Sequence, residues 1–133
     1  MLNIQNVYDS VVGANLKNLN IGVSDEDLLL GKRVTTNVNL STEEGAWNGL
    51  ETLSMQGTTG LTSINVSYMP NVKNLNLRGC YYRVDNGVYT GVSVSLPEGI
   101  HYTTLKLPAN IQTLSLHDVT WDNIEFWDLT TDG

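Results

Sequence analysis

Val72-Lys73-Asn74-Leu75-Asn76-Leu77 contains the pattern that organises this 133-residue chain: an apolar residue, two polar ones, an apolar one, a polar one and a final apolar one. The same hexad recurs at 16–21, 50–55 and 111–116. Positions 4 to 6 alternate between apolar and polar residues, which is the period of a strand with one buried face. The apolar residue at position 1 lies where the chain bends into that strand. A unit that cannot bury its own apolar face must stack on its neighbours, so the hexads predict a repeat architecture.

Weaker copies fill the intervals and bring the number of hexads to nine. Their central residues, at position 4, are Val38, Ile64, Val94, Leu105 and, for the hexad 124–129, Trp127. The strong copies centred on Leu53 and Leu75 lie 22 residues apart with one weak copy midway, which predicts two short strands per turn. We therefore expect a single mainly β domain over residues 1–133, a solenoid of short parallel strands with little helix. Such a domain is typical of a segment of a larger protein.

Two segments depart from the hexads. Ser41 and Glu44 have the spacing of a capping box, which predicts one or two helical turns ahead of Trp47. Residues 81–90 alternate aromatic and branched side chains around Asp85-Asn86-Gly87, a type I′ turn signal. They predict a hairpin inserted between the hexads centred on 75 and 94.

The charge of the chain limits its partners. With 14 acidic and 7 basic residues, the formal net charge is -7, which disfavours nucleic acid and anionic membrane surfaces. No stretch approaches the roughly 18 apolar residues of a spanning helix, and no signal peptide is evident, so we expect no membrane insertion. The single cysteine, Cys80, has no partner for an internal disulfide and is expected to be a packed thiol.

The runs 46–55 and 61–80 resemble the leucine-rich repeat family, especially its irregular bacterial and phage-borne varieties. The second run has the apolar ladder of that family, followed by Gly79-Cys80 in the turn. The resemblance implies recognition of protein or glycan on a sheet face, without cofactor or catalysis, in a bacterial surface or phage structural protein. It favours a cell-surface, secreted or virion location. Few hexads carry the buried Asn that follows the strand in regular members, so a right-handed parallel β-helix is the alternative fold.

Stacking of the strong hexads in register would align their outward polar residues on one face, and the same alternation turns Gln56 outward. The candidates for ligand or partner binding on this face are Asn74, Asn76, Arg78, Ser115, His117 and Asp128. Such side chains suit sugar hydroxyls or a protein backbone. A solvated face whose Asn and Thr side chains pair between turns is the competing interpretation. Trp121 and Phe126 fall outside the apolar positions of the hexad 124–129, so we expect exposed rings that stack on sugars or anchor a protein.

Acidic residues near the end of the chain provide an alternative function. Asp118, Asp122, Glu125 and Asp128 cluster near His117, as in a carbohydrate-active enzyme with a carboxylate pair or in a cation site. Their spacing matches no metal or nucleophile motif, so we expect no catalytic, cofactor or metal site. A third hypothesis is an architectural part of a virion or fibre. Because no polar capping repeat follows the last hexad, we also expect a homo-oligomer formed through the last turn.

Overall fold

Hexads form strands in the computed structural model, which describes residues 16–35, 47–80, 82–83, 89–90, 92–108, 113–115 and 117–127. These ranges contain one short helix, α1 (Asp25–Leu29). Their strands are β1 (Asn18–Asn20), β2 (Val34–Thr35), β3 (Thr52–Ser54), β4 (Thr58–Thr59), β5 (Ser63–Asn65), β6 (Asn74–Asn76), β7 (Tyr82–Arg83), β8 (Tyr89–Thr90), β9 (Ser93–Ser95), β10 (His101–Pro108), β11 (Thr113–Ser115) and β12 (Thr120–Trp127).

Two parallel sheets contain most of these strands. Sheet I has the order β1-β3-β6-β10-β12, and sheet II has the order β11-β9-β5. The hexad strands alternate between the sheets along the chain, since β5 lies between β3 and β6, β9 between β6 and β10, and β11 between β10 and β12. Parallel neighbours need a crossover, and here the crossover includes a strand of the other sheet. The chain is therefore mainly β with parallel sheets and almost no helix, as the hexads predict.

The register keeps every hexad of sheet I in the same phase. At position 4, Leu19 lies opposite Leu53, Leu53 opposite Leu75, Leu75 opposite Leu105, and Leu105 opposite Ile124. Sheet II aligns its central residues in the same way, in the order Ile64, Val94 and Leu114. A slip of one residue would turn each apolar side chain to the other face, so the buried row fixes the register.

The pairing of β12 corrects the phase predicted for the last hexad. Ile124 pairs with Leu105 and Phe126 pairs with Leu107, so this hexad spans 121–126 rather than 124–129. Position 4 is therefore Ile124 and not Trp127. Both phases put apolar residues at positions 1, 4 and 6, and the ladder with β10 selects between them.

The inward positions of both sheets form one apolar core. In β3, β6 and β10, the residues at positions 4 and 6 are at most 1% exposed. Position 1 adds Leu50, Val72 and Tyr102, which are equally buried where the chain bends into each strand. Ile64 and Val94 of sheet II belong to the same core. The apolar side chains of the hexads thus form the core between sheet I and sheet II.

Helix α1 begins with a run of acidic residues that lies between two hexads. Ser24 caps it, because its Oγ accepts a hydrogen bond from the backbone N–H of Asp27 at 3.1 Å. Three acidic residues occupy the first turn, where the helix dipole favours negative charge. The helix predicted from Ser41 and Glu44 lies outside the described residues. No helix in the described ranges has the length and apolar content needed to cross a bilayer.

Strands β7 and β8 pair antiparallel, unlike the strands of sheets I and II. Tyr82 lies opposite Thr90 and Arg83 lies opposite Tyr89. The predicted turn between them, at 84–88, lies outside the described residues. Between β6 and β9 the chain therefore leaves the parallel sheets for this antiparallel pair and then enters sheet II.

Tyr102 is buried in the core although it carries a hydroxyl. Its side chain is 0% exposed, and its Oη has no hydrogen-bond partner among the described residues. Burial raises the pKa of this phenol above the ordinary value for tyrosine, because the phenolate would lose its hydration. The folded protein therefore holds Tyr102 neutral.

Tyr102→Phe is expected to raise the free energy of unfolding by about 1 kcal/mol, because the variant no longer desolvates an unpaired hydroxyl. Urea unfolding at neutral pH measures the difference. The raised folded pKa also means that the wild type loses stability as the pH rises above about 10, the ordinary tyrosine pKa, and the variant lacks this part of the loss. Tyr68→Phe, at a ring that is 40% exposed, is the control and leaves stability unchanged. A destabilised Tyr102→Phe would contradict the prediction.

Candidate functional site

The outward face of sheet I presents a row of polar side chains, which we name the polar strip. It consists of hexad positions 3 and 5 in β1, β3, β6 and β10, and every member is exposed or half-buried. The members are Asn18, Asn20, Thr52, Ser54, Asn74, Asn76, Thr104 and Lys106. Neighbouring strands lie about 4.8 Å apart, so the strip crosses four strands over roughly 14 Å.

Two open depressions lie along the polar strip. The first, about 250 Å³ in volume, is lined by strip residues of β3, β6 and β10. The second, about 440 Å³, adds Lys17, Glu51 and Lys73 at the beginning of the strands. Both depressions are lined by Thr52 and Asn74. They therefore form one continuous surface from β1 to β10.

Position 3 of the hexads provides the free hydrogen-bonding groups of this surface. The side chains of Thr52, Asn74 and Thr104 have no hydrogen-bond partner among the described residues. They stand in neighbouring strands, because Thr52 pairs in register with Asn74, and Asn74 with Thr104. The inter-turn pairing of Asn and Thr side chains considered above is therefore not made at these three positions.

Position 5 behaves differently where the strip approaches α1. The Asn76 amide donates from Nδ2 to Gln56 Oε1 at 2.9 Å, and its Oδ1 accepts from the backbone N–H of Arg78 at 3.1 Å. Gln56 in turn donates from Nε2 to Asp25 Oδ1 at 2.9 Å and to the Val23 carbonyl at 3.0 Å. Asn76 is thus held within the chain, whereas Asn74 is open.

The outward positions predicted for Gln56 and Arg78 are wrong. Gln56 is 2% exposed and Arg78 is 7% exposed. Arg78 Nη1 lies 3.5 Å from Asp25 Oδ1, so the guanidinium forms an ion pair inside the chain with a carboxylate of α1. We name Asp25, Gln56, Asn76 and Arg78 the Gln56 cluster. It connects α1 to the ends of β3 and β6, and its hydrogen bonds and ion pair are made within the chain.

The strong hexad at 111–116 does not extend the polar strip. Its strand β11 pairs with β9, so Ser115 lies opposite Ser95 in sheet II, and its side chain is outside the described residues. His117 follows this strand, and its exposed Nε2 lies 3.2 Å from Glu98 Oε1. Asp128 lies outside the described residues. A single face that joins Asn74 to Ser115 and His117 is therefore wrong, because the strong hexads divide between two sheets.

Trp121 and Phe126 are exposed, as expected, but for another reason. They occupy positions 1 and 6 of the hexad 121–126, which are apolar positions. The corresponding residues of β10, Tyr102 and Leu107, are 0% exposed, whereas Trp121 is 37% and Phe126 is 54% exposed. Both rings belong to β12, which lies at an edge of sheet I in the described part of the chain, so no described strand covers them.

Two carboxylates of the acidic cluster, those of Asp122 and Glu125, have partners on β10. Asp122 Oδ1 lies 2.8 Å from His101 Nε2, and the other ring nitrogen of His101 contacts Thr120 Oγ1 at 2.7 Å. Glu125 Oε2 lies 3.6 Å from the Lys106 ammonium. These contacts are cross-strand pairs, which stabilise neighbouring strands. The hypothesis of a carboxylate pair for glycoside hydrolysis stays a prediction, since Asp128 of this cluster lies outside the described residues.

Three exposed side chains near this end bring potential metal ligands together. Glu98, His117 and Asp118 each offer one ligand atom, and these atoms lie within 4.8 Å of one another. Among them, His117 Nε2 and Glu98 Oε1 are 3.2 Å apart. Asp118 has a φ of 55°, a left-handed conformation that Asp adopts more readily than most residues.

Cys80 is a packed thiol, as predicted. It is 2% exposed, and burial raises its pKa to about 11, although hydrogen bonds with Thr58 oppose the shift. Thr58 Oγ1 lies 3.3 Å from the sulfur, and the thiol donates to the Met55 carbonyl at 3.1 Å. A thiol of this pKa carries almost no thiolate at neutral pH, so it is a poor nucleophile.

Comparisons of the chain with protein-family models, curated proteins and solved structures find no match. The resemblance to leucine-rich repeats therefore stays a prediction.

Proposed function

We propose that this chain is a non-enzymatic binding module, a short leucine-rich-repeat-like solenoid that recognises glycan or protein on the polar strip. The alternation of strands between sheets I and II supports a solenoid of two strands per turn. In this proposal the module belongs to a larger bacterial surface or phage structural protein. The hexads build the scaffold, and the outward residues select the ligand.

The observation that carries the proposal is the row of free side chains at position 3. Thr52, Asn74 and Thr104 are unpartnered among the described residues, and they stand side by side on three strands. The two hydroxyls and the one amide can each both donate and accept hydrogen bonds. Because each is at most half-buried, a ligand can reach them without rearrangement of the sheet. Sugar hydroxyls and peptide groups are the ligands that match this chemistry.

The charges beside the strip favour a neutral or weakly acidic ligand. Lys17 pairs with Glu51 at 3.6 Å, and Lys106 pairs with Glu125 at the same distance. Lys73 has no ion-pair partner among the described residues. This face is thus slightly positive, although the chain as a whole carries a net charge of -7. A carboxylate-bearing sugar or an acidic peptide would meet less repulsion here than elsewhere.

A glycan array and a displayed peptide library, both probed with the wild-type chain, test the proposal. Any ligand found is expected to bind the double variant Asn74→Ala/Thr104→Val about 10- to 30-fold more weakly, because each lost hydrogen bond contributes roughly 1 kcal/mol. Ser63→Ala removes an exposed hydroxyl from sheet II and is the matched control, with affinity unchanged. Failure of both screens, or equal weakening by the control, would argue against the polar strip.

A further inference from the structure

Exposed apolar side chains occur on β12, at one edge of sheet I among the described strands, and in the segment that follows β1. In the part of the chain that the structure describes, the exposed large hydrophobic residues are Leu29, Leu30, Val34, Tyr68, Trp121 and Phe126. Leu29 and Leu30 lie at the end of α1, Val34 lies in β2, and the last two belong to β12. Of the six, only Tyr68 lies outside these segments. Exposed apolar surface of this kind marks interaction sites.

The first of the two surfaces is the apolar row of β12, which we name the last-strand face. It consists of Trp121, Ile124 and Phe126, at positions 1, 4 and 6 of the hexad. Every inner strand of sheet I has a hexad on each side, but β12 pairs only with β10 among the described strands. No described strand lies beside its other edge, which is eight residues long.

The second surface lies at the opposite edge of sheet I, and we name it the first-strand face. It consists of Leu16, Leu19 and Ile21, the residues at positions 1, 4 and 6 beside β1, and all three are only partly buried. Among the described strands, β1 pairs only with β3. The two faces thus carry the same apolar positions of the same repeat. If the two faces stacked, each edge strand would gain the second neighbouring hexad that every inner strand of sheet I already has.

Charges at hexad position 2 indicate how the faces would meet. This position runs through Lys17, Glu51, Lys73, Thr103 and Asp122 from one edge of sheet I to the other. Backbone hydrogen bonds of 2.8 to 2.9 Å connect the first four members in that order. The charges are therefore positive, negative, positive, neutral and negative. A second copy stacked in the same register would place its Lys17 next to Asp122.

A two-fold contact between two last-strand faces fits less well. It would bring Asp122 and Glu125 of one copy against the same residues of another copy, in a chain that already has a net charge of -7. Like charges opposite each other in a sheet are destabilising. A contact between the first-strand face and the last-strand face is therefore favoured over a contact between two last-strand faces.

We propose that copies of this chain associate head to tail, with β1 of one copy stacked parallel on β12 of the next. The hexads continue in register across the contact, so Leu19 lies beside Ile124, Ile21 beside Phe126, and Lys17 beside Asp122. Such a contact leaves one free face at each end of the pair and generates rings or open filaments. The contact does not require a ligand on the polar strip.

Sedimentation velocity of the full chain over a range of concentrations tests the proposal. The wild type is expected to form dimers and higher species as concentration rises. Phe126→Glu weakens association by about 100-fold and Lys17→Glu by about tenfold, since one places a charge in the apolar row and the other opposes Asp122. Tyr68→Glu, an equal change at an exposed ring away from both edges, leaves association unchanged. The double variant Lys17→Glu/Asp122→Lys exchanges the two charges and restores association.

Mixing separates head-to-tail contacts from two-fold ones. Phe126→Glu blocks one face and Lys17→Glu weakens the other, so each variant alone stays monomeric at moderate concentration. An equimolar mixture retains one intact pair of faces and is expected to give a 1:1 dimer that grows no further. A wild type that stays monomeric at high concentration would overturn the proposal, as its own terminal segments or another protein would then cover these faces. Association that Phe126→Glu leaves intact, or a mixture that stays monomeric, would overturn it as well.

Discussion

Leu77→Ala is expected to lower the free energy of unfolding by about 3 kcal/mol, within the range found when a buried leucine is truncated. Leu77 occupies position 6 of the hexad 72–77, directly after β6 at the middle of sheet I, and is 0% exposed. Hexads on both sides and the opposite sheet surround it, so the surrounding side chains cannot move in to fill the space. Urea unfolding followed by circular dichroism measures the loss.

Phe126→Ala is the matched control, because Phe126 occupies the same hexad position in β12. Its ring is 54% exposed, so its truncation is expected to cost less than about 1 kcal/mol although more atoms are removed. The comparison requires a dilute sample, in which copies do not associate. Similar losses for both variants would mean that the two positions are equally covered, contrary to the pairing order of sheet I.

Gly22→Ala is expected to destabilise the protein by about 3 kcal/mol, at the upper end of overpacking effects. A Cβ at this position would overlap the backbone N and O of Gln56 and lie 2.8 Å from the carbonyl carbon of Met55. These backbone atoms cannot yield easily, because hydrogen bonds connect Ile21 to Ser54 at 3.0 Å and Val23 to Gln56 at 2.9 Å. Thermal unfolding or urea titration measures the change.

Gly99→Ala separates crowding from backbone strain. Gly99 has a φ of +69°, which favours glycine, but a Cβ there would meet nothing within 4 Å. The expected cost is about 1 kcal/mol, the penalty of a left-handed conformation alone. If Gly22→Ala cost no more than Gly99→Ala, the close approach of the chain to Gln56 would be disproved.

The mainly β fold with parallel strands could be predicted because the apolar and polar positions of the hexad correspond directly to buried and exposed residues. Positions 4 and 6 are buried in β3, β6 and β10, where the pattern places them. Sheet membership could not be predicted in the same way. The hexads 102–107 and 111–116 both have apolar residues at positions 1, 4 and 6, yet the strand of one lies in sheet I and the strand of the other in sheet II. Only the path of the chain between them assigns each to a sheet.

The exposure of a site residue could be predicted where it follows from the alternation of apolar and polar residues in a strand. It could not be predicted where it depends on contacts between residues far apart in the sequence. Asn74 faces outward because it alternates with Leu75, and the sequence reveals this. Arg78 is buried where its guanidinium pairs with the Asp25 carboxylate of α1. No local sequence pattern connects two residues so far apart in the chain. Phe126 is exposed because no described strand follows β12 in sheet I, and this depends on the assembly of strands and not on the hexad.

Sheet I maintains its register across connections of very different length. Leu53, Leu75, Leu105 and Ile124 follow one another at intervals of 22, 30 and 19 residues, yet all four pair in the same phase. The longest interval contains the antiparallel strands β7 and β8. The ladder therefore sets the spacing of the strands independently of the length of chain between them. Segments inserted between β6 and β9 can then vary in evolution, or be replaced by design, without resetting the surface that the strands present.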